Sequence, residues 1–308
     1  MFIENAKKGS NGFWLYVAGI FLVIVGYFLG SIPIIAIMAV AAQATGASQK
    51  DIETLNFDAL GIDLNTALFL NLIPFAVGVL ALWLVIARIH DRSFKSLITS
   101  RPKINYGKII FAASLWFALN LGFELSMYFI NPELYTPQFD FTKFIILIAI
   151  CLLVLPIQTS FEELLLRGYL MQGIGMRFGY RIIPLIVTSL VFGLLHSMNP
   201  EVQKFGFGIM MVYYIGFGVV TAVFTLMDES TEIALGLHWA NNFFGAVFVT
   251  FEGSALSTYA IFKIEEINPE MMLLGWFPMI TLFGIVMAKK YEWNFWKAHL
   301  LGKGAENV

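Results

Sequence analysis

The sequence predicts an all-α polytopic membrane protein with about eight transmembrane helices and both termini in the cytoplasm. Two observations support this prediction. Of the 308 residues, 58% are hydrophobic and only 13% are charged, whereas a soluble domain usually carries about 25% charged residues. The hydrophobic residues also gather into long apolar segments, which a single core cannot bury at this chain length, so lipid must cover them.

Eight segments are long enough for a helix to cross a bilayer, which takes about 20 apolar residues. They are residues 13–42, 66–87, 109–130, 144–166, 182–198, 207–227, 231–251 and 271–288. The fifth is short, and the fourth continues without a clear stop to Gly179. Backbone groups in lipid must be hydrogen-bonded within their own segment, so each span is predicted to be helical. No internal repeat is visible, and residues 1–308 are predicted to form one integral membrane domain.

The distribution of lysine and arginine predicts the orientation, because cytoplasmic connections of membrane proteins are enriched in both. With eight spans and a cytoplasmic N-terminus, 14 basic residues fall inside, 4 fall outside, and Arg167, the nineteenth, lies within a span. The inner set includes Lys297 and Lys303 near the C-terminus. An odd number of spans would place this basic C-terminus outside, so both termini are predicted to be cytoplasmic. We expect the chain to reside in the cell membrane.

Charge and cysteine content limit the remaining classes. A net charge of −2 without a basic stripe offers no surface for nucleic acid. The single cysteine, Cys151, cannot form an internal disulfide. The lipid bilayer is therefore the first partner that the sequence predicts.

Ionisable residues within the spans are the strongest functional signal, because each costs about 2.5–3.5 kcal/mol to insert. Glu162, Glu163 and Arg167 stand together in the fourth segment. Residues four apart share a helix face, so Glu163 and Arg167 can pair, whereas Glu162 is left without a local partner. Desolvated carboxylic acids suit general base or acid chemistry near neutral pH, which makes Glu162 a candidate catalytic residue. The alternative is a buried salt bridge that only fixes helix packing.

A histidine in the fifth segment is the second candidate. Phe192 and His196 are four apart and share a helix face. If the chain turns at residues 178–181, Glu162 lies 16 residues before the turn and His196 lies 15 residues after it. At 1.5 Å per residue both lie about 23 Å from the turn, so an antiparallel hairpin brings them to one level. A hydrogen-bonded packing histidine is the alternative.

His238 and Asn242, four apart in the seventh segment, form the third candidate pair, with Asn241 as the weaker alternative to Asn242. His238 is predicted about 10 Å from the cytoplasmic connection 228–231. It matches the depth of the first two candidates only if the tip of their hairpin extends beyond the membrane. Packing alone remains the alternative for this pair.

Three further ionisable residues are left out of the predicted site. Glu124, in the third segment, has no partner that the sequence identifies. His90 lies in a basic loop and His299 in the C-terminal tail, and both are predicted to be solvated.

The motifs Glu-Glu-x-x-x-Arg, Phe-x-x-x-His and His-x-x-x-Asn stand in this order, each in an apolar span. In this combination they resemble the CPBP family, which comprises the CAAX prenyl endopeptidases and the bacteriocin-processing or Abi-type intramembrane proteases. The resemblance covers residues 140–252, the predicted catalytic core, and does not extend to the N-terminal third. It implies an eight-helix membrane fold and a peptidase activity. Within the first motif, Glu163 and Arg167 fit a supporting pair.

The resemblance also implies how the site works. Glu162 looks like the base that activates water, with assistance from His196. His238 and Asn242 look like the donors that stabilise the oxyanion. Peptide hydrolysis needs both functions, a base for water and donors aimed at the developing negative charge.

A zinc ion is an alternative to a metal-free site, because Glu162, His196 and His238 could ligate it. The sequence contains no His-Glu-x-x-His helix and no cysteine ligands. An asparagine amide is also an uncommon zinc ligand. The sequence therefore favours a metal-free glutamate mechanism without a cofactor.

Two other functions remain open. A proton- or ion-coupled transporter would also carry intramembrane charges, although the chain lacks the internal repeats of many transporters. A non-catalytic relative could instead bind a peptide in an immunity or regulatory role. For a peptidase, the substrate would be a membrane-associated or lipid-anchored peptide, either a prenylated CAAX tail or a bacteriocin or pheromone leader, and the sequence does not distinguish these.

Overall fold

The structure is a computed structural model, and it describes residues 1–53, 56–294 and 300–302. The α-helices are α1 Phe13–Thr45, α2 Gln49–Glu53, α3 Leu64–Leu84, α4 Tyr106–Ile130, α5 Phe141–Leu153, α6 Leu155–Glu163, α7 Met171–Phe178, α8 Ile182–Leu195, α9 Pro200–Phe205, α10 Phe207–Asp228, α11 Glu232–Val247 and α12 Pro269–Lys290. Short 3₁₀ turns cover Ile3–Lys8, Phe94–Leu97 and Pro132–Leu134. Lys297, His299 and Lys303 lie outside the described residues.

Each of the eight predicted spans contains a helix, and the all-α polytopic membrane fold is confirmed. Six helices of the described chain are long and apolar enough to cross a membrane: Phe13–Thr45, Leu64–Ile89, Tyr106–Ile130, Phe141–Phe178, Phe207–Asp228 and Pro269–Lys290. The other two predicted spans contain α8 and α11, which have only 14 and 16 residues. The number of crossings and the cytoplasmic position of the termini stay predictions.

The fourth predicted span is interrupted twice. α5 ends at Leu153, and Pro156 stands in the first turn of α6. A proline is tolerated there because the backbone N–H groups of a first turn have no partner within the helix. A π-helical stretch, Leu164–Leu170, then joins α6 to α7. Arg167 lies in this stretch. π-helical turns are rare and occur mostly near functional sites.

Charged side chains hold together the connections that were predicted to be cytoplasmic. Arg101, between α3 and α4, pairs with Asp228 at 3.3 Å and with Glu232 at 3.0 Å. Arg181, between α7 and α8, pairs with Glu229 at 2.5 Å. These three connections therefore lie at one end of the molecule, as alternating spans require.

Connections from the opposite end meet in a small sheet. Its strands are β1 Tyr135–Pro137, β2 Val249–Phe251 and β3 Phe262–Ile264, in the order β1-β3-β2. β3 is antiparallel to β1 and parallel to β2. The sequence did not predict this sheet, because three residues are too few for a periodic pattern.

Glycines allow α1 and α3 to pack closely against each other and against α6. A Cβ at Gly26 of α1 would lie 2.6 Å from the Cβ of Ala81, and a Cβ at Gly78 of α3 would lie 2.5 Å from the ring of Phe161. Small residues at such positions let membrane helices approach closely. The N-terminal helices therefore pack directly behind α6, which carries Glu162 immediately after Phe161.

The prediction that His90 is solvated is wrong. His90 has no exposed surface. Its Nδ1 lies 2.6 Å from the carbonyl oxygen of Ser10, and its Nε2 lies 2.8 Å from the hydroxyl of Tyr169. The N-terminal segment and the π-helical stretch cover the His90 ring and shield it from solvent. The local sequence around His90 does not reveal these contacts.

Candidate active site

A chain of charged and polar groups connects α6, the π-helical stretch and α11. Glu163 Oε2 lies 3.3 Å from Arg167 Nε, so the pair that the four-residue spacing predicted is present. Glu163 Oε1 lies 2.8 Å from His238 Nδ1. Arg167 also donates from Nη2 to the carbonyl oxygen of Gly218 at 3.1 Å. Glu163 and Arg167 have no exposed side-chain surface, so their opposite charges offset one another inside the protein.

Glu162 approaches the other nitrogen of the same histidine. Its Oε2 lies 3.5 Å from His238 Nε2, which is too far for a hydrogen bond between these atoms. That oxygen is buried and has no hydrogen-bond partner among the described residues. Its Oε1 accepts from Gln158 Nε2 at 2.6 Å. Glu163 Oε2 also lacks a hydrogen bond, but it faces Arg167 Nε at 3.3 Å, so Glu162 is the carboxylate whose unbonded oxygen has no arginine beside it.

Hydrogen bonding determines the proton positions on His238. Nδ1 donates to the Glu163 carboxylate, because an ionised carboxylate only accepts. Nε2 then faces Glu162 with a lone pair when the ring is neutral and with an N–H when it is protonated.

Asn242 reaches the site through a second amide. Its Nδ2 donates to Gln158 Oε1 at 3.2 Å, and Gln158 in turn donates to Glu162. Asn241, the weaker sequence candidate, instead accepts from Trp116 Nε1 at 3.2 Å. The structure therefore places Asn242, and not Asn241, on the side of Glu162.

His196 lies beside this chain and not within it. α8 ends at Leu195, and His196 donates from Nδ1 to the carbonyl oxygen of Phe192 at 2.7 Å. Its ring stacks on Tyr214, with ring centroids 4.6 Å apart. Its Nε2 has no hydrogen-bond partner among the described residues, and the ring is close enough to Glu162 to interact electrostatically. The histidine nearest to Glu162 is thus His238, although the hairpin argument paired Glu162 with His196.

Phe192 separates the two histidines and covers the guanidinium. Its ring centroid lies 4.4 Å from that of His196 and 5.7 Å from that of His238. The Arg167 guanidinium lies 4.6 Å from the same ring, a cation–π contact. The predicted Phe-x-x-x-His motif therefore contributes both a histidine and an aromatic wall.

Sequence reasoning missed three participants. Gln158 links Glu162 to Asn242, and its position four residues before Glu162 in an apolar segment could have revealed it. Tyr214, which stacks on His196, gave no signal among 11 tyrosines. Tyr27 of α1 lies close enough to Glu162 to interact electrostatically, and nothing in the sequence connects these two positions.

Two other buried or half-buried glutamates lie apart from the site, Glu124 within a span and Glu201 in the connection before α10. Glu124 accepts from the Tyr135 hydroxyl at 2.6 Å, the partner that the sequence did not identify. Glu201, in α9, accepts from the backbone N–H of Ala255 at 2.7 Å. Burial raises the pKa of the Glu201 carboxyl above its ordinary value, and its Oε2 has no partner among the described residues. Glu201 also lies close enough to Tyr214, whose ring stacks on His196, to interact with it electrostatically.

The donor set does not fit a zinc ion. Catalytic zinc is usually held by three protein ligands, and the described residues contain no group of three or more His, Cys, Asp and Glu side chains that could hold a metal. Among the three proposed ligands, Glu162, His196 and His238, the described contacts within 4 Å include one pair of ligand atoms, Glu162 Oε2 and His238 Nε2 at 3.5 Å. Nδ1 of His238 and Nδ1 of His196 are already bonded to Glu163 and to Phe192.

Fold and site define a class, that of polytopic membrane proteins with a buried cluster of carboxylates and imidazoles. Comparison with known proteins gives the family. The family model of Rce1-like type II CAAX prenyl endopeptidases matches residues 141–244. This range includes every residue of the site that the sequence predicted. The Bacillus subtilis (strain 168) protein YyaK, described as uncharacterized, is 32% identical over 265 residues, 85% of this chain and 87% of that protein. The chain therefore belongs to the CPBP family of CAAX protease-like membrane peptidases, and no solved structure matches it significantly.

Proposed function

We propose that this chain is an intramembrane endopeptidase of the cell membrane that hydrolyses a peptide bond of a membrane-associated substrate. The observation that carries the proposal is the position of His238 between two carboxylates, Glu163 at 2.8 Å and Glu162 at 3.5 Å. One carboxylate is paired with Arg167 and orients the ring. The other carboxylate, Glu162, has an oxygen beside the ring that makes no hydrogen bond, and hydrolysis by an activated water requires such a base.

Glu162 acts as the general base in this proposal. Its side chain is 14% exposed, whereas those of Glu163 and Arg167 are fully buried, so Glu162 is the charge of this group nearest to solvent, although its Oε2 is itself buried. The carboxylate takes a proton from water, and the resulting hydroxide adds to the carbonyl carbon of the scissile bond. General base catalysis of this kind contributes about 10²–10⁴-fold to the rate.

His238 and Asn242 stabilise the oxyanion that this addition creates. The protonated His238 donates from Nε2, and Asn242 donates from Nδ2 after releasing Gln158. When the tetrahedral intermediate collapses, the C–N bond breaks and the Glu162 carboxylic acid gives its proton to the departing amine. The carboxylate is then regenerated, and the products are a new C-terminal acid and a new amine.

Glu163 and Arg167 are positioning residues. Glu163 fixes the orientation of the His238 ring through Nδ1, and Arg167 keeps Glu163 ionised in its buried position. A carboxylate that orients a catalytic imidazole has the same role in serine hydrolases.

His196 assists Glu162 through its free Nε2. Its Nδ1 is fixed by the carbonyl oxygen of Phe192, and its face is held by Tyr214. The remaining nitrogen can accept a hydrogen bond from the attacking water or from the substrate. This position supports a role in orienting water and leaves the proton transfer to Glu162.

The direct test is cleavage of a membrane-anchored peptide by the purified, reconstituted full-length protein. Glu162→Gln should lower the rate by at least about 10²-fold, and His196→Ala should also reduce it. Glu124→Gln is the matched control, because this membrane glutamate is bonded to Tyr135 away from the site and should leave the rate unchanged. Cleavage that survives both site substitutions removes the mechanism. Ion flux without cleavage favours a transporter, and binding without cleavage favours a non-catalytic role.

Metal independence is a separate part of the proposal. Purified protein treated with a chelator should retain its activity. Inhibition by the chelator that added zinc reverses would assign the reaction to a metal site instead. The substrate remains either a prenylated CAAX tail or an unprenylated leader peptide, and a matched pair of reporter peptides with and without a prenyl group separates these two.

A further inference from the structure

A polar cavity, separate from the candidate active site, lies at the end of the molecule that carries the N-terminal segment. It has a volume of about 330 Å³ and is formed where that segment meets the loop after α3. Its lining residues are Lys8, Asp91, Arg92, Ser93, Lys95 and Ser96. None of them belongs to the proposed active site. The volume is at the lower end of the range for small-molecule sites.

Arg92 is a buried cation without a buried anion. Only 7% of this residue is exposed. Its Nη1 donates to Gln172 Oε1 at 2.6 Å, whereas Nε and Nη2 have no hydrogen-bond partner among the described residues. The other two buried arginines differ, since Arg167 pairs with Glu163 and Arg181 pairs with Glu229. In the described part of the chain, Arg92 makes no ion pair.

A buried guanidinium normally requires a partner of opposite charge, because desolvation of an unpaired ion is costly. Burial also lowers the pKa of Arg92 below its ordinary value, although an arginine stays charged at neutral pH. An anion bound in the cavity would supply the missing charge. The protein thus holds a cation in place for a ligand that the chain itself does not provide.

A hydroxyl group beside Arg92 is also unsatisfied. Ser96 is 4% exposed, and its Oγ has no hydrogen-bond partner among the described residues. The backbone of Ser96 is nevertheless fixed, because its carbonyl oxygen accepts from Asn5 Nδ2 at 2.9 Å and from Gln172 Nε2 at 2.7 Å. Gln172 therefore holds both Arg92 and Ser96 in one arrangement.

The N-terminal segment forms one side of the cavity, and backbone contacts with the loop after α3 fix its position. Ser10 donates its backbone N–H to the carbonyl oxygen of His90 at 2.8 Å. A Cβ at Gly9 would lie 2.0 Å from the same oxygen, so only glycine allows this approach. This contact holds the segment that carries Lys8 against the loop after α3, where Lys95 donates from Nζ to the carbonyl oxygen of Pro102 at 2.6 Å. Three cations and one carboxylate, Asp91, give the lining a net charge of +2.

We propose that this cavity binds a phosphate group, with Arg92 and Ser96 at its base and Lys8 and Lys95 at its entrance. A guanidinium can donate two parallel N–H bonds to two oxygens of a tetrahedral phosphate, which a lysine cannot, and a serine hydroxyl can donate to a third oxygen. The cavity lies at the end predicted to face the cytoplasm, where anionic lipids are concentrated and basic pockets bind their headgroups. The phosphate can belong to an anionic lipid or to a free phosphate in solution.

Two probes separate these sources in the purified full-length protein. The first is inorganic phosphate, added in detergent and compared with chloride at equal ionic strength, with the thermal unfolding midpoint as the readout. The second is a nanodisc of phosphatidylglycerol compared with one of phosphatidylcholine, with retained lipid counted by native mass spectrometry. A response to the first probe alone identifies free phosphate, and a response to the second identifies the lipid headgroup.

Arg92→Gln should weaken binding of the responding probe by at least about tenfold, the value expected for loss of a charge-assisted hydrogen bond. Arg88→Gln is the matched control, because Arg88 is exposed, lies in the same segment and does not line the cavity. If Arg92→Gln does not fold, Lys95→Gln replaces it, with the same direction of effect. The proposal is overturned if wild-type protein responds to neither probe. It is also overturned if the two arginine variants bind equally well.

Discussion

The N-terminal helices and the helices of the site pack in the membrane in two different ways. α1 and α3 contain no Asp, Glu, Lys, Arg or His, and they meet through small residues such as Gly26 and Ala81. α6, the π-helical stretch and α11 instead meet through Glu163, Arg167 and His238. Small residues give close van der Waals contact at no cost in desolvation. Buried charges carry that cost, which a partner of opposite charge offsets.

This difference indicates that the two regions have different roles. The N-terminal pair packs through shape, and Tyr27 is its residue close enough to interact with Glu162. The cluster needs specific partners, and Glu162 Oε2, which makes neither a hydrogen bond nor an ion pair with Arg167, is the point at which chemistry is proposed. The two regions meet at Phe161, whose ring packs on Gly78 and lies 6.0 Å from that of Tyr27.

The largest effect is expected from breaking the buried ion pair. Arg167→Met leaves Glu163 charged and unpaired, which costs about 3–5 kcal/mol of stability. The double variant Glu163→Gln, Arg167→Met removes both charges and should recover most of that loss, since Gln can still accept from His238. Peptide cleavage should stay low in both. Chemical unfolding of the purified protein measures the difference, and equal stability of the single and double variants would contradict the pairing argument.

The next effect separates two adjacent amides on α11. Asn242→Ala should lower the cleavage rate by about 10²–10³-fold, as expected for loss of one oxyanion donor, with little change in the unfolding midpoint. Asn241→Ala should lower it much less, because Asn241 accepts from Trp116 and reaches Glu162 only indirectly, through the hydrogen bond that it donates to Asn242 Oδ1 at 3.3 Å. A larger loss for Asn241 than for Asn242 would reverse the assignment.

Much of the fold follows from the sequence, and less of the site does. Apolar length predicted where the helices lie, and the four-residue spacing predicted that Glu163 and Arg167 meet. No local pattern indicates that α6 packs on α11, so the contacts of Glu163 with His238 and of Gln158 with Asn242 were not predicted. The same holds for His90, whose burial depends on a segment 80 positions earlier in the chain.

A smaller effect is expected from adding a methyl group between the two regions. Gly78→Ala would place its Cβ 2.5 Å from the Phe161 ring and force that ring to move. Overpacking of this kind costs about 1–3 kcal/mol, and we expect a parallel decrease in cleavage because Glu162 follows Phe161. Gly122→Ala on α4 is the control, since a Cβ there meets nothing within 4 Å. Unchanged stability and cleavage in Gly78→Ala would show that the N-terminal pair does not support the site.

The smallest expected effect is a pH dependence at the second contact between the regions, where His90 bonds Ser10 and Tyr169. Burial lowers the pKa of His90 below its ordinary value of 6.5. Because the folded protein then binds this proton less tightly than the unfolded chain does, the stability that His90 contributes is complete above pH 6.5 and is lost as the pH falls. Thermal unfolding midpoints should therefore decrease between pH 7 and pH 5, and His90→Gln should reduce this slope because glutamine does not titrate. An unchanged slope in the variant would assign the pH dependence to other groups and leave the contact between the regions insensitive to protons.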